Sequence, residues 1–94
     1  MNSEFEWDLV KANANHQRHG VSFGEAATVF FDPLSVTVTD PLHSIEEQRF
    51  VITGLSYQRR LLVVVHADRG DRIRIISARL ATRLEREKYE AEAK

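Results

Sequence analysis

Glu47 and Arg49 stand two residues apart at the mouth of a β-like run, a spacing that turns both side chains to one face of a strand. Arginine suits phosphate because its planar fork gives two parallel charge-assisted hydrogen bonds. A glutamate or histidine held beside it can move protons. Arg60 before an apolar run, Arg69 in a turn and Arg79 after the last β-like run could join them. Such a set would permit RNA cleavage without a metal: a base takes the ribose 2′-hydroxyl proton, arginines stabilise the pentacovalent phosphate, and an acid protonates the departing 5′-oxygen. The plainer reading is a surface ion pair between Glu47 and Arg49, worth about 0–1 kcal/mol.

The histidines and aromatics offer less. His16 and His19 have the i, i+3 spacing to share a metal on a helix, but no third ligand follows, and a structural role is the simpler assignment. His66 ends an apolar run and reads as a hydrogen-bonded residue at the edge of the core. His43 falls in a loop, where solvent exposure and catalysis fit equally. Trp7 and Tyr89 could stack on bases; Trp7 reads better as core, and Tyr89 as more open.

The elements that must position these groups are short. Phe5-Glu6-Trp7 can form an edge strand, with Asp8 capping a helix that runs to about His19 and stops at Gly20. Ser22-Phe23-Gly24-Glu25 has capping-box spacing. Phe23, Ala26, Ala27 and Phe30 then make one apolar stripe of a second helix, ended by Asp32-Pro33. Period-two patterning follows: strands over Ser35–Thr39, Arg49–Leu55, Leu61–His66 and Arg72–Ala78. Leu61–His66 is apolar on both faces, as a central strand is. Asp68-Arg69-Gly70-Asp71 reads as a tight turn. Thr82-Arg83-Leu84-Glu85 opens a terminal helix with a thin apolar face, laced by pairs such as Arg83/Glu87 and Arg86/Glu90. The expected fold is α+β, a curved antiparallel sheet of about four strands with two early helices on one face and a C-terminal helix. If the pleat of the last strand is regular, Arg79 shares a face with Ile73, Ile75 and Ser77, while Arg72 and Arg74 take the other.

Ninety-four residues point to one domain over 1–94. With 43% hydrophobic and 29% charged residues the chain reads as globular. The net charge of -1 carries no overall nucleic-acid signature. The halves differ, however: residues 1–50 carry three Lys/Arg against eight Asp/Glu, and residues 51–94 ten against six. That asymmetry is compatible with an anion-facing side and a separate acidic side. The lack of cysteine excludes a disulfide framework and a thiolate metal site, and fits the cytoplasm. The longest apolar run, Leu61 to Val65, is too short for a bilayer, and the acidic amino terminus lacks the regions of a secretion signal.

Taken end to end, Phe5-Glu6-Trp7-Asp8, Lys11-Ala12, Asn15, His19-Gly20-Val21-Ser22-Phe23, Glu25-Ala26, Glu47, Arg49, Arg60-Leu61, Ile75-Ile76-Ser77-Ala78-Arg79, Ala81-Thr82 and Glu85-Arg86 form a series. It resembles the BrnT family, toxins of type II BrnT–BrnA toxin–antitoxin systems, over residues 4 to 90. The resemblance implies a RelE-like ribonuclease fold, inhibition of translation by metal-independent RNA cleavage, and no cofactor. It also implies neutralisation by a ribbon-helix-helix BrnA antitoxin in a heterotetramer, which reaches operator DNA only through the antitoxin and involves no membrane. Carried onto matching positions, it makes Glu47 the general base, Arg49, Arg60 and Arg79 phosphate clamps, and His19 a lesser acid–base candidate. Arg69, Arg83, Arg86 and Tyr89 fall to RNA or antitoxin binding. Arg18 stands where the family usually has lysine, keeping the charge but giving a poor proton donor. Ile45 stands where an acidic residue is common. Two further classes remain open on the sequence: a toxin-like module that binds antitoxin without cutting RNA, and a nucleic-acid-binding domain without catalysis.

Overall fold

Asp8 caps the first helix, its Oδ1 accepting from the Val10 and Lys11 amides at 2.8 and 3.2 Å. The computed structural model describes residues 4–40 and 47–92. In it α1 (Leu9–His19) stops at Gly20, whose φ of 69° is left-handed, a region that glycine enters without steric cost. Ser22 caps α2 (Phe23–Ala27) through the Glu25 amide at 3.0 Å. The expected box is only half made, because the Glu25 carboxylate turns away to Arg60 and Ser56. The apolar stripe continues past Ala27 as a 3-10 turn, Thr28–Phe31, rather than as α-helix. Gly54 accommodates that turn: a Cβ there would lie 3.0 Å from Ser35 Cβ and 3.2 Å from the Val29 carbonyl oxygen.

Among the described residues five strands follow the order β1-β5-β4-β3-β2, with β1 at Phe5–Glu6, β2 at Val36–Thr39, β3 at Arg49–Leu55, β4 at Leu61–Arg69 and β5 at Arg72–Leu80. The expected antiparallel meander is β2 to β5. The sheet as a whole is mixed, since β1 adds a fifth strand parallel to β5. That pairing buries Phe5, whose ring lies 5.2 Å from that of Phe30. Above β1, the side chain of Asn15 takes over the edge of β5: its amide donates to the Ala78 carbonyl at 2.8 Å, and its oxygen accepts from the Ala78 amide at 3.1 Å. The core lies between one sheet face and α1, α2 and the 3-10 turn, with Val21, Phe23, Ala26, Val29, Leu62 and Val64 at its centre. Trp7 packs edge-on against Phe23, as its core reading required. No helix among the described residues is long and apolar enough to cross a membrane.

One irregularity decides how the arginines are arranged. Val65 pairs with Ser77 but His66 pairs with Ile75, so Ile76 is an extra residue and β5 bulges there. The extra residue reverses the alternation. Arg74 now lies opposite Ala67, Ser77 opposite Val65 and Arg79 opposite Val63. Val63, Val65 and Ala67 alternate onto one face of β4, so their partners share that face. Arg72 opposite Arg69, and Arg49 opposite Ala67 on β3, join it. The regular-pleat expectation, with Arg74 and Arg79 on opposite sides, is thereby overturned: Ile75 and Ala78 both enter the core and the arginines gather on the other face.

The terminal helix, α3 (Arg83–Glu92), lies over that second face. Its capping box is complete: Thr82 Oγ1 accepts from the Glu85 amide at 3.2 Å and Glu85 Oε1 from the Thr82 amide at 2.8 Å. Tyr89 is the one buried residue described in α3, and Leu84 is left 76% exposed.

Candidate active site

Five polar groups meet around a hollow of about 110 Å³: Asp8 and Lys11 from the first turn of α1, Glu47 and Arg49 at the head of β3, and Arg74 on β5, with Ile75 and Ile76 as apolar wall. Arg49 and Arg74 flank Ala67 from either side of β4. Glu47 Oε1 stands 3.8 Å from Arg49 Nε, an ion pair just outside hydrogen-bond range, with both side chains about one-third exposed. An anion entering here meets two guanidinium groups and an ammonium, with a carboxylate available to accept a proton.

Arg79 lies on the same face, four residues along β4 from the Ala67 row as measured by its partner Val63. At about 3.3 Å per residue that is roughly 13 Å. Its guanidinium grips Glu85 with two bonds of 2.8 Å and also donates to the Leu80 carbonyl at 3.2 Å. Hydrogen bonding to Arg79, against a smaller cost of burial, draws the Glu85 carboxyl down to about 2, and Glu85 raises Arg79 in turn. Beside them a second hollow of about 210 Å³ opens between α3 and the valines of β2 and β3.

Arg60 and His19 are elsewhere. Arg60 Nε donates to Glu25 Oε2 at 3.0 Å, while Nη2 serves both Glu25 Oε1 and the Gly20 carbonyl. Glu25, 2% exposed at its side chain, also accepts from Ser56 Oγ at 2.6 Å. The Arg60 hydrogen bonds hold the Glu25 carboxyl below its ordinary range despite burial. Arg60 thus ties the start of α2 to the β3–β4 turn. His19 ends α1 at that same end of the helix, away from Glu47.

The remaining candidates divide. Arg69 and Arg72 flank the exposed hairpin tip, and Arg83 and Arg86 are exposed on α3, with Arg83 3.3 Å from Glu87. Tyr89, expected to be open, is 8% exposed and donates to Asp32 Oδ2 at 2.6 Å. Burial and that bond push its hydroxyl up to about 12. His66, expected to be hydrogen-bonded, has a partner at neither ring nitrogen, and packs between Phe30 and Phe50 at ring separations of 4.8 and 5.6 Å. Among the described residues no three His, Asp or Glu side chains are grouped to hold a metal. His43 and Ile45 lie outside the described residues. Lys11, Asn15 and Arg74 had no assigned role in the sequence. For Lys11 and Asn15 the signals available were their place in the family series and their spacing, four apart on one helix face.

A family model described as the ribonuclease toxin, BrnT, of type II toxin–antitoxin systems matches residues 7–85. Among solved structures, the crystal structure of the Brucella abortus ribonuclease toxin BrnT superposes with a TM-score of 0.62 at 20% sequence identity, over 84% of this chain and 96% of that one. At that identity the likeness is one of fold. No curated protein matches the chain.

Proposed function

The chain belongs to the BrnT family of ribonuclease toxins of type II toxin–antitoxin systems, and on that premise we propose that it inhibits translation by cutting RNA without a metal ion. In this reading residues 1–94 act as one RelE-like toxin domain in the cytoplasm. Its activity is held off by a ribbon-helix-helix BrnA antitoxin in a heterotetramer that contacts operator DNA through the antitoxin.

Glu47 takes the 2′-hydroxyl proton, and the 2′-oxygen attacks the adjoining phosphorus. Arg49 and Arg74 stabilise the charge that grows on the non-bridging oxygens, where preorganised donors act most strongly. Arg79 holds the neighbouring backbone, with phosphate displacing or sharing Glu85. Arg60 enters as a positioning residue, because Glu25 and the Gly20 carbonyl already engage its donors. Arg69, Arg83 and Arg86 guide RNA or antitoxin at the margin. One observation carries the reading: the β5 bulge brings Arg74 and Arg79 together onto the sheet face that Arg49 of β3 also occupies, with Glu47 beside Arg49.

The second reading, an antitoxin-binding module without cleavage, draws on the grip of Glu85 on Arg79. Purified protein incubated with RNA in excess chelator separates the two. Cleavage is expected, and Glu47→Ala and Arg79→Ala are each expected to abolish it while leaving the circular dichroism spectrum unchanged. Uncut RNA with the wild-type chain, or undiminished cutting by both variants, rejects the assignment. Growth arrest relieved by co-expressed antitoxin tests the partner.

A further inference from the structure

The cleft has a base and phosphate clamps, but the leaving oxygen also needs a proton. We infer that Lys11 supplies it, an inference that rests on the ribonuclease reading and deepens it. Three observations converge. Lys11 shares the hollow with Glu47, Arg49 and Arg74. Of the side chains there it is the suitable donor: Asp8 is spent as a helix cap, Glu47 is the base, and guanidinium does not release its proton in proteins. Its position is also set. Asn15, 9% exposed, clasps both backbone groups of Ala78 and so fixes the rotation of α1 about its axis. Lys11 stands one helical turn earlier on the same side, which brings it to the bulged Ile75–Ile76 segment of β5. His19, eight residues further along α1, is roughly 12 Å away along the helix axis at about 1.5 Å per residue.

The step balances without a further reactant. The 2′-oxygen forms its bond to phosphorus as Glu47 accepts the hydroxyl proton. The bond from phosphorus to the 5′-oxygen breaks, and its electron pair takes a proton from the Lys11 ammonium. The products are a 2′,3′-cyclic phosphate and a 5′-hydroxyl; Glu47 then returns a proton to solvent and Lys11 recovers one.

The test uses an RNA whose wild-type cut site has been mapped, synthesised with either oxygen or sulfur as the 5′-bridging atom there. A thiolate leaves without protonation. Lys11→Ala and Lys11→Arg are expected to cut the oxygen RNA about 10²–10⁴-fold more slowly, the usual weight of acid–base catalysis. On the sulfur RNA both should run close to wild type, whereas Glu47→Ala should stay slow on both. Lys11→Arg sustaining the wild-type rate on oxygen RNA overturns the inference, since charge alone then suffices. Equal slowing on both substrates overturns it as well. If no wild-type cut can be mapped in any RNA, the ribonuclease reading itself fails and takes this inference with it. If the wild type cuts and both Lys11 variants match it, only the inference fails. Lys11 is exposed, so neither substitution threatens the fold.

Discussion

His66 carries two ring nitrogens into an apolar slot where neither finds a partner. A buried polar group in that condition stays neutral, because charging it would add a large desolvation cost. Burial accordingly lowers its pKa, and Asp68 opposes this less strongly. The unfolded chain therefore takes up the proton first. The stability this neutral ring permits is complete above the unfolded value of about 6.5 and drains away as pH falls through the lower folded value. Thermal midpoints measured from pH 8 to 5 should fall on the acid side for the wild type and fall less for His66→Phe. Parallel curves for the two proteins would show that another group controls acid stability. Asn15 is the opposite case, a buried amide whose donor and acceptor are both satisfied, and α1 is held to β5 through it.

At the scale of elements, α3 is the least secured. Its apolar face is thin, and its fastenings to the rest are Tyr89 on Asp32 and Glu85 on Arg79. Asp32 is a junction: it accepts from the Leu34 and Leu55 amides as well as from Tyr89, and these bonds outweigh burial to keep its carboxyl below the ordinary range. Removing the phenol hydroxyl costs about 1.5–3 kcal/mol, the weight of a hydrogen bond to a charged group. Tyr89→Phe should thus free the amides of α3 to exchange with deuterium faster while those of β4 remain protected. Unchanged exchange in α3 would mean that Glu85 and the capping box suffice. The bulge in β5 is the other decisive element. A single extra residue turns a strand that would divide its arginines into one that collects them.

For the whole molecule, a net charge of -1 conceals a sheet face with Arg49, Arg69, Arg72, Arg74 and Arg79 on it. A polyanion responds to that face rather than to the sum. Binding of RNA to Glu47→Ala, which should not cut it, ought to weaken with salt. Each arginine that neutralises a phosphate adds about 0.7 to the logarithmic slope for a single strand. Arg74→Ala on that background should lower the slope by about that amount. A slope indifferent to Arg74 would place the strand elsewhere on the surface. The two ends of α1 divide the candidate groups on the same scale, with Lys11 beside Glu47 at one end and His19 near the framework cluster of Arg60 and Glu25 at the other.

Features that depend on residues within a few positions of one another were legible in the sequence: the caps at Asp8, Ser22 and Thr82, the stop at Gly20, the turn at Gly70, and the antiparallel order of four strands. The family was legible too, because its blocks are local. The site was legible only in part. Glu47 and Arg49 were paired by spacing, but the faces taken by Arg74 and Arg79 hang on a bulge that no local pattern encodes, since the extra residue has meaning only against the strand beside it. Arg60 and Tyr89 were drawn into the framework by partners 35 and 57 residues distant, Glu25 and Asp32. Local backbone preference writes elements into a chain; which side chains meet is decided when packing sets one strand's register against another.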